Sequence, residues 1–223
     1  MVKIFDADLI KNHFIITENG KRILIDTGCP VDINEANIRR FPELKQHLEG
    51  ARRFVDPTLD EFWGLKYFAQ HKVLLDYQKA AVIVADQGDE VNPVHPVAEF
   101  PISGMPYRIL FDMTIGGKVC KMIFDTGASI ANYITDSIAM TGTDVGSVFD
   151  NHPDIGPYKV GLFELPVDIG GEKVNIPFGI MPIKVDCMVQ AEGAVGIIGI
   201  GLYEKFQVLV DLPNRRLVLG KYE

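Results

Sequence analysis

Short apolar runs, each closed by a glycine-bearing turn, set the rhythm of this chain. Phe14-Ile15-Ile16-Thr17, then Glu18-Asn19-Gly20-Lys21 and Arg22-Ile23-Leu24-Ile25, read as strand, turn and strand. The second strand runs out at Asp26, with Thr27-Gly28 behind it. The succession returns later as Phe111-Asp112-Met113-Thr114, Ile115-Gly116-Gly117-Lys118 and Val119 to Phe124, ending at Asp125 with Thr126-Gly127. Further along each copy, Phe62 to Asp76 aligns without gaps against Ile197 to Asp211. Each Asp is then followed by a turn and another apolar strand, Tyr77 to Val84 and Leu212 to Leu219. A fixed succession repeated once predicts an internal duplication with pseudo-two-fold symmetry.

The pattern divides the chain into a first lobe at 1–84, a Pro-rich linker at 85–106 and a second lobe at 107–223. The linker reading rests on Pro93, Pro96, Pro101 and Pro106 and on the acidic stretch Asp86-Gln87-Gly88-Asp89-Glu90. A first lobe this short is small for a core of its own, so the lobes are expected to share an interface and fold as one body. The copies are unequal, because far more residues separate Asp125 from Gly199 than Asp26 from Gly64. In the first lobe Phe41 to Leu48 predicts a short amphipathic helix.

Composition narrows the function classes. With 47% hydrophobic and 23% charged residues among 223, the chain can build a packed core, and its 13 Pro and 21 Gly favour a mostly β fold over a helical bundle. A net charge of -8 lacks the concentrated Lys/Arg face that nucleic acid requires. Arg39-Arg40, Arg52-Arg53 and Arg215-Arg216 read as solvated surface. Cys29, Cys120 and Cys187 have neither metal spacing nor the even number of a disulfide framework, which fits a reducing compartment. The amino end lacks a basic segment followed by an apolar one, and no run approaches a membrane span; the expected location is cytoplasmic, with no membrane partner. His13, His47, His71, His95 and His152 form no metal spacing and read as surface or turn residues.

Two carboxylates on matching scaffolds are what one acid–base site shared between two halves needs. One Asp-Thr-Gly alone reads as an ordinary turn after a strand. Its duplication, with the later Gly64 and Gly199 elements, points to a dyad.

With these residues assembled, the chain resembles the aspartic proteases of the retropepsin and pepsin type. The resemblance covers roughly 10–84 and 107–221 and rests on four elements in order: Leu24-Ile25-Asp26-Thr27-Gly28, Phe62-Trp63-Gly64, Ile123-Phe124-Asp125-Thr126-Gly127 and Ile197-Ile198-Gly199. The second half is the closer match. Asp125-Thr126-Gly127-Ala128-Ser129 is a retropepsin-like form, and Leu165 to Lys173 is similar to the strand and turn after that family's flap. The intermediate length resembles a fused dimer of retropepsin-like lobes.

The resemblance implies a mostly β fold of two pseudo-symmetric β-barrel lobes with short helices and the active site at their junction. It implies an aspartic endopeptidase hydrolysing peptide bonds with a water activated between Asp26 and Asp125, without metal or cofactor. Thr27 and Thr126 would bond across the lobes, and Gly28 and Gly127 would let the main chain pass beneath the carboxylates. The extra residues of the second half would supply a flap over 154–163, with Gly156 and Tyr158 at the substrate and Ala128 beside it. The partner would be a peptide or protein substrate bound to a monomer with an intramolecular dyad. Two alternatives stay open: a catalytically inactive peptide-binding module of the same fold, and a homodimer in which second lobes pair.

The sequence departs from the family's pattern at Cys29-Pro30 and in placing its flap on the carboxy-terminal lobe. Neither lobe has a hydroxyl directly after the Gly, where Cys29 and Ala128 stand. Fewer donors to the carboxylates should raise the dyad's pKa values and place activity at mildly acidic to neutral pH. Cys29 reads as a packed structural residue, since no His motif accompanies it.

Overall fold

The computed structural model describes residues 1–152 and 155–222. The first half runs β1 (Val2–Ile10), β2 (His13–Glu18), β3 (Lys21–Ile25), α1 (Glu35–Arg40), α2 (Leu44–Phe54), β4 (Glu61–Trp63), α3 (Leu65–Phe68), β5 (His71–Asp76) and β6 (Ala81–Asp86). After β7 (His95–Pro101), the second half runs β8 (Leu110–Ile115), β9 (Lys118–Phe124), β10 (Asn132–Ile134), α4 (Asp136–Ala139), β11 (Thr143–His152), β12 (Gly156–Ile169) and β13 (Glu172–Ile180). It closes with α5 (Ile183–Ala191), β14 (Gly196–Ile198), α6 (Ile200–Tyr203), β15 (Phe206–Asp211) and β16 (Arg216–Lys221). Mostly β structure with short helices is what the apolar runs and turns predict. No described helix is long and apolar enough to cross a membrane.

The unbroken apolar runs of β2 and β3 have a structural cause. Phe14, Ile16, Ile23 and Ile25 face the main core, while Ile15 and Leu24 on the opposite face pack with Ile33, Leu48, Leu59 and Phe62. A sheet buried on both faces needs apolar residues at every position. The second cover is α2, whose Leu44, Leu48, Ala51 and Val55 recur at helical spacing and meet this cluster. In the second half α5 plays the same part: Val185 and Val189 pack with Leu110 and Ile123, while Phe111, Met122 and Phe124 face the main core.

Two expectations change here. The helix expected over 41–48 is two helices, α1 ending at Arg40 and α2 starting at Leu44. Pro42 disfavours helical backbone at Phe41, which caps α1 instead. The Pro-rich stretch is not all linker, because β7 pairs antiparallel with β16. Pro96 and Pro101 are accommodated because β7 is the edge strand of its sheet.

A nine-stranded sheet runs in the order β4-β3-β2-β1-β6-β5-β15-β16-β7 and so draws on both halves. The halves meet at the antiparallel pair β5–β15, where Val73, Leu74 and Leu75 face Val210, Leu209 and Val208. Leu74 and Leu209 are equivalent residues of the two copies, so the pseudo-two-fold axis passes through their pairing. In the second sheet, ordered β11-β12-β13-β10-β14-β9-β8, β12 also pairs with β8. That pairing closes six strands into a barrel and leaves β11 outside it. The outer part of β12 continues beyond the barrel, paired with β11 as a long hairpin.

Candidate active site

Each half builds its Asp loop the same way. β3 pairs parallel with β4, and the Asp26 N–H donates to the Trp63 carbonyl at 3.0 Å. β9 pairs parallel with β14, and the Asp125 N–H donates to the Ile198 carbonyl at 3.0 Å. A parallel pair needs a crossover, so each chain must leave its Asp in a loop and return. The returning strand ends in a glycine packed under that loop. A Cβ on Gly64 would lie 2.3 Å from the Val31 carbonyl oxygen, and one on Gly199 would lie 2.1 Å from that of Asp125. Leu65 N–H then donates to the Cys29 carbonyl at 2.8 Å and Ile200 N–H to that of Ala128 at 2.9 Å. Asp32 Oδ1 accepts from Gly64 and Tyr67 N–H at 3.0 Å each; Asn132 Oδ1 accepts from Gly199 and Gly201 N–H at 3.1 and 2.9 Å.

The two loops hold one another. Thr27 N–H donates to Thr126 Oγ1 at 3.0 Å and Thr126 N–H to Thr27 Oγ1 at 2.9 Å. Thr126 Oγ1 donates to the Ile25 carbonyl at 2.9 Å and Thr27 Oγ1 to that of Phe124 at 3.3 Å. Both threonines are buried, so all four bonds are shielded from water. Asp26 and Asp125 converge over this exchange. Gly28 N–H donates to Asp26 Oδ1 at 2.9 Å and Gly127 N–H to Asp125 Oδ1 at 2.7 Å. A Cβ on Gly28 would stand 2.4 Å from both carboxylate oxygens of Asp125, and one on Gly127 3.4 Å from Asp26 Oδ1. The glycines leave room for the opposite carboxylate.

Both aspartates are half-buried, and both sit above the ordinary aspartate range. Burial pushes Asp26 up to about 7, aided by the charge of Asp125 and opposed by the Gly28 and Cys29 N–H groups and by Arg108. Burial raises Asp125 also, against the Gly127 N–H, Arg108 and His152. A pair in this position shares a proton, and its titration belongs to the two together.

Beside the dyad is a cavity of about 330 Å³ lined by Gly28, Asp125, Arg108 and His152, with Val185, Met188 and Val189 of α5 on its apolar wall. Arg108 and His152 carry no motif in the sequence; only the fold brings them to Asp125. His152 was expected at the surface or in a turn, but it ends β11 over the cavity. His13 departs from the same expectation. Its half-buried ring lies 3.0 Å from Ser129 Oγ, and burial pushes its pKa down to about 4. The neighbouring Asn12 donates from Nδ2 to the Ser129 carbonyl at 3.0 Å, so the β1–β2 turn of the first half braces the second Asp loop. Cys29 donates its thiol to the Val31 carbonyl at 3.0 Å, and burial pushes its pKa up to about 12. A thiol so held is a packing residue.

The flap segment expected over 154–163 lies on the β11–β12 hairpin, apart from Asp154, which is outside the described residues. Gly156 pairs with His152 near the tip and takes φ +83, a backbone that suits glycine. Tyr158 is half-buried, and its hydroxyl donates to Tyr133 Oη at 2.8 Å. Tyr133, on β10 of the barrel, donates in turn to Asp150 Oδ2 on β11. One buried phenol thus ties both hairpin strands to the barrel. Ala128 is buried, its carbonyl engaged by Ile200. Tyr133→Phe should loosen the hairpin by about 1 kcal/mol, read as roughly five- to tenfold faster amide hydrogen exchange in β11 and outer β12 with β5 and β15 unchanged.

Among the described residues, no group of three or more His, Cys, Asp or Glu is placed to hold a metal ion. No family model matches the chain, and no curated protein matches it in sequence. Among the solved structures that the chain matches at low sequence identity are three aspartic proteases. The aspartic proteinase from Irpex lacteus is 15% identical with a TM-score of 0.42, over 69% of this chain and 56% of that one. A retropepsin-like aspartic protease from Rickettsia conorii is 19% identical with a TM-score of 0.41, over 59% of this chain and 97% of that one. The Simian Foamy Virus (mac) protease is 13% identical with a TM-score of 0.29, over 40% of this chain and 86% of that one. The chain therefore spans a little over half the length of the Irpex lacteus proteinase.

Proposed function

We propose that this protein is a single-chain aspartic endopeptidase in which Asp26 and Asp125 activate water against a peptide bond. The observation that carries the reading is the reciprocal exchange of Thr27 and Thr126 hydrogen bonds, which fixes two half-buried carboxylates over one junction. With one proton on the pair, the ionised Asp takes a proton from the bound water while its partner donates to the scissile carbonyl. The tetrahedral intermediate then collapses: the carboxyl group that took the water proton gives it to the departing amine nitrogen, and its ionised partner takes back a proton from one hydroxyl, so the pair again holds one proton. The cavity wall of α5 would receive an apolar side chain, and the β11–β12 hairpin would cover an extended peptide and exclude water. Both Asp residues reach the site from one chain, which supports a monomer with an intramolecular dyad. Three free thiols support the reducing, cytoplasmic setting.

The pH dependence follows from the raised carboxylates. Below the first apparent pKa both groups are protonated and no base remains; above the second both are ionised and no acid remains. Burial moves this window upward, so cleavage of an unstructured protein should peak between about pH 5 and 7 and be blocked by a peptide with a tetrahedral hydroxyl in place of the scissile carbonyl. No cleavage at any pH from about 3 to 8 would remove the proposal.

A further inference from the structure

The geometry points to Arg108 as a carboxylate-binding subsite beside the dyad, selecting peptides with an acidic group next to the scissile bond. This deepens the protease reading and rests on it. A guanidinium presents a planar fork of N–H donors matched to a carboxylate. At Arg108 only Nη1 is engaged, and both its acceptors are main-chain carbonyls: Tyr107 at 2.7 Å and Gly28 at 3.5 Å. Among the described residues, no Asp or Glu forms an ion pair with it. Two other partly buried arginines of this chain are each neutralised twice, Arg22 by Asp8 and Asp56 and Arg216 by Asp211 and Glu99. Arg108 instead lines the cavity beside the dyad.

Its position is fixed from both sides. Reciprocal bonds between Ser103 and Leu110, at 2.8 and 3.0 Å, pin the loop that carries it, and the Gly28 contact sets the guanidinium at the junction of the halves. Nε and Nη2 have no protein acceptor among the described residues, which leaves two donors for a bidentate ligand. The charge of the dyad does not fill this role. It is shared over two carboxylates that accept the Gly28 and Gly127 N–H groups. Glu192 also lines the cavity, but from the exposed end of α5, so it repels an acid there and confines it to the Arg108 end. The overall charge of -8 is screened beyond about 8 Å at physiological salt and does not oppose a contact made inside the cleft.

The carboxylate could come from an Asp or Glu side chain or from the carboxyl end of the peptide. The test uses matched peptides that differ only in Asp against Asn, or in a free against an amidated carboxyl end, at each position within three residues of the cleaved bond. Their kcat/KM ratios are measured for the parent, Arg108→Gln and Arg108→Lys, with melting temperatures confirming that the variants fold. The parent should favour the acid form at one position by roughly tenfold or more, in keeping with a charge-assisted bidentate pair. Arg108→Gln should bring that ratio to about one, and Arg108→Lys should restore part of it. Which series responds identifies the source of the carboxylate. Equal losses on acid and amide peptides would overturn the proposal, leaving Arg108 only a tuner of the dyad. Binding of the same peptides to Asp125→Asn, followed by fluorescence anisotropy, separates the two claims. An acid preference there without turnover in the parent would remove the protease reading and keep the subsite; no acid preference in either assay would remove the subsite.

Discussion

Asp26→Asn is expected to cut peptide hydrolysis by a factor of about 10³ or more while making the protein more stable at neutral pH. The first effect follows from the proposed reaction, in which each carboxylate supplies half of a proton relay, since a positioned acid or base is worth about 10² to 10⁴ in rate. The second follows from linkage. Burial pushes Asp26 up to about 7 from an ordinary 3.8, with the proton shared with Asp125, so between those pH values the folded form binds more protons than the unfolded one. Stability contributed by this group therefore falls as pH rises through the window. Asn cannot ionise and escapes the cost. Melting temperatures of parent and variant should coincide near pH 4 and separate by a few degrees above pH 7, at about 2–4 °C per kcal/mol for a chain of this size. Asp125→Asn should behave in the same direction, since burial raises that group too. A variant that keeps activity would mean the dyad is not within one chain. One that loses activity but is less stable at every pH would mean the carboxylate is a structural acceptor.

Thr126→Val should be the most damaging conservative change at the junction. The side-chain volume is nearly kept, but Thr27 N–H loses its acceptor and the Ile25 carbonyl loses its donor, both in a buried setting. Two stranded groups at about 1–3 kcal/mol each predict a loss of about 2–6 kcal/mol, visible as a drop of roughly 4–24 °C in melting temperature. Thr126→Ser keeps the hydroxyl and should recover most of it. If Val and Ser variants melt together, the exchange does not hold the halves, and the methyl group rather than the hydroxyl matters.

How far the sequence carried this reading depends on whether a feature is local. The Asp-Thr-Gly loops and the Gly64 and Gly199 elements are legible because sterics demand glycine: a main-chain carbonyl lies where a Cβ of residue 64 or 199 would be, and a carboxylate where that of residue 28 would be. The equivalence of Asp32 and Asn132 is harder to see, since the residues differ in type and sit one position out of step after their Asp-Thr-Gly. β7 is hidden by its prolines, because edge pairing is a tertiary circumstance that composition does not report. Arg108, His152, Tyr133 and His13 are invisible for the same reason. Each is an isolated residue whose partner lies on another element, such as Ser129 for His13 or Asp150 for Tyr133.

The pairing of Leu74 with Leu209 has a consequence for how a peptide gets in. The two halves share a continuous hydrogen-bonded ladder and a buried hydroxyl exchange, so opening them like a jaw would break both at once. The outer β11–β12 hairpin lies outside that ladder: it extends from the barrel along β12 and is braced there by the Tyr133 hydroxyl and by Val148, Tyr158 and Val160, which pack in the cluster with Val185 and Val189. In the proposed protease a peptide would therefore enter as this hairpin lifts from a fixed bowl, with the movement confined to one end of the molecule.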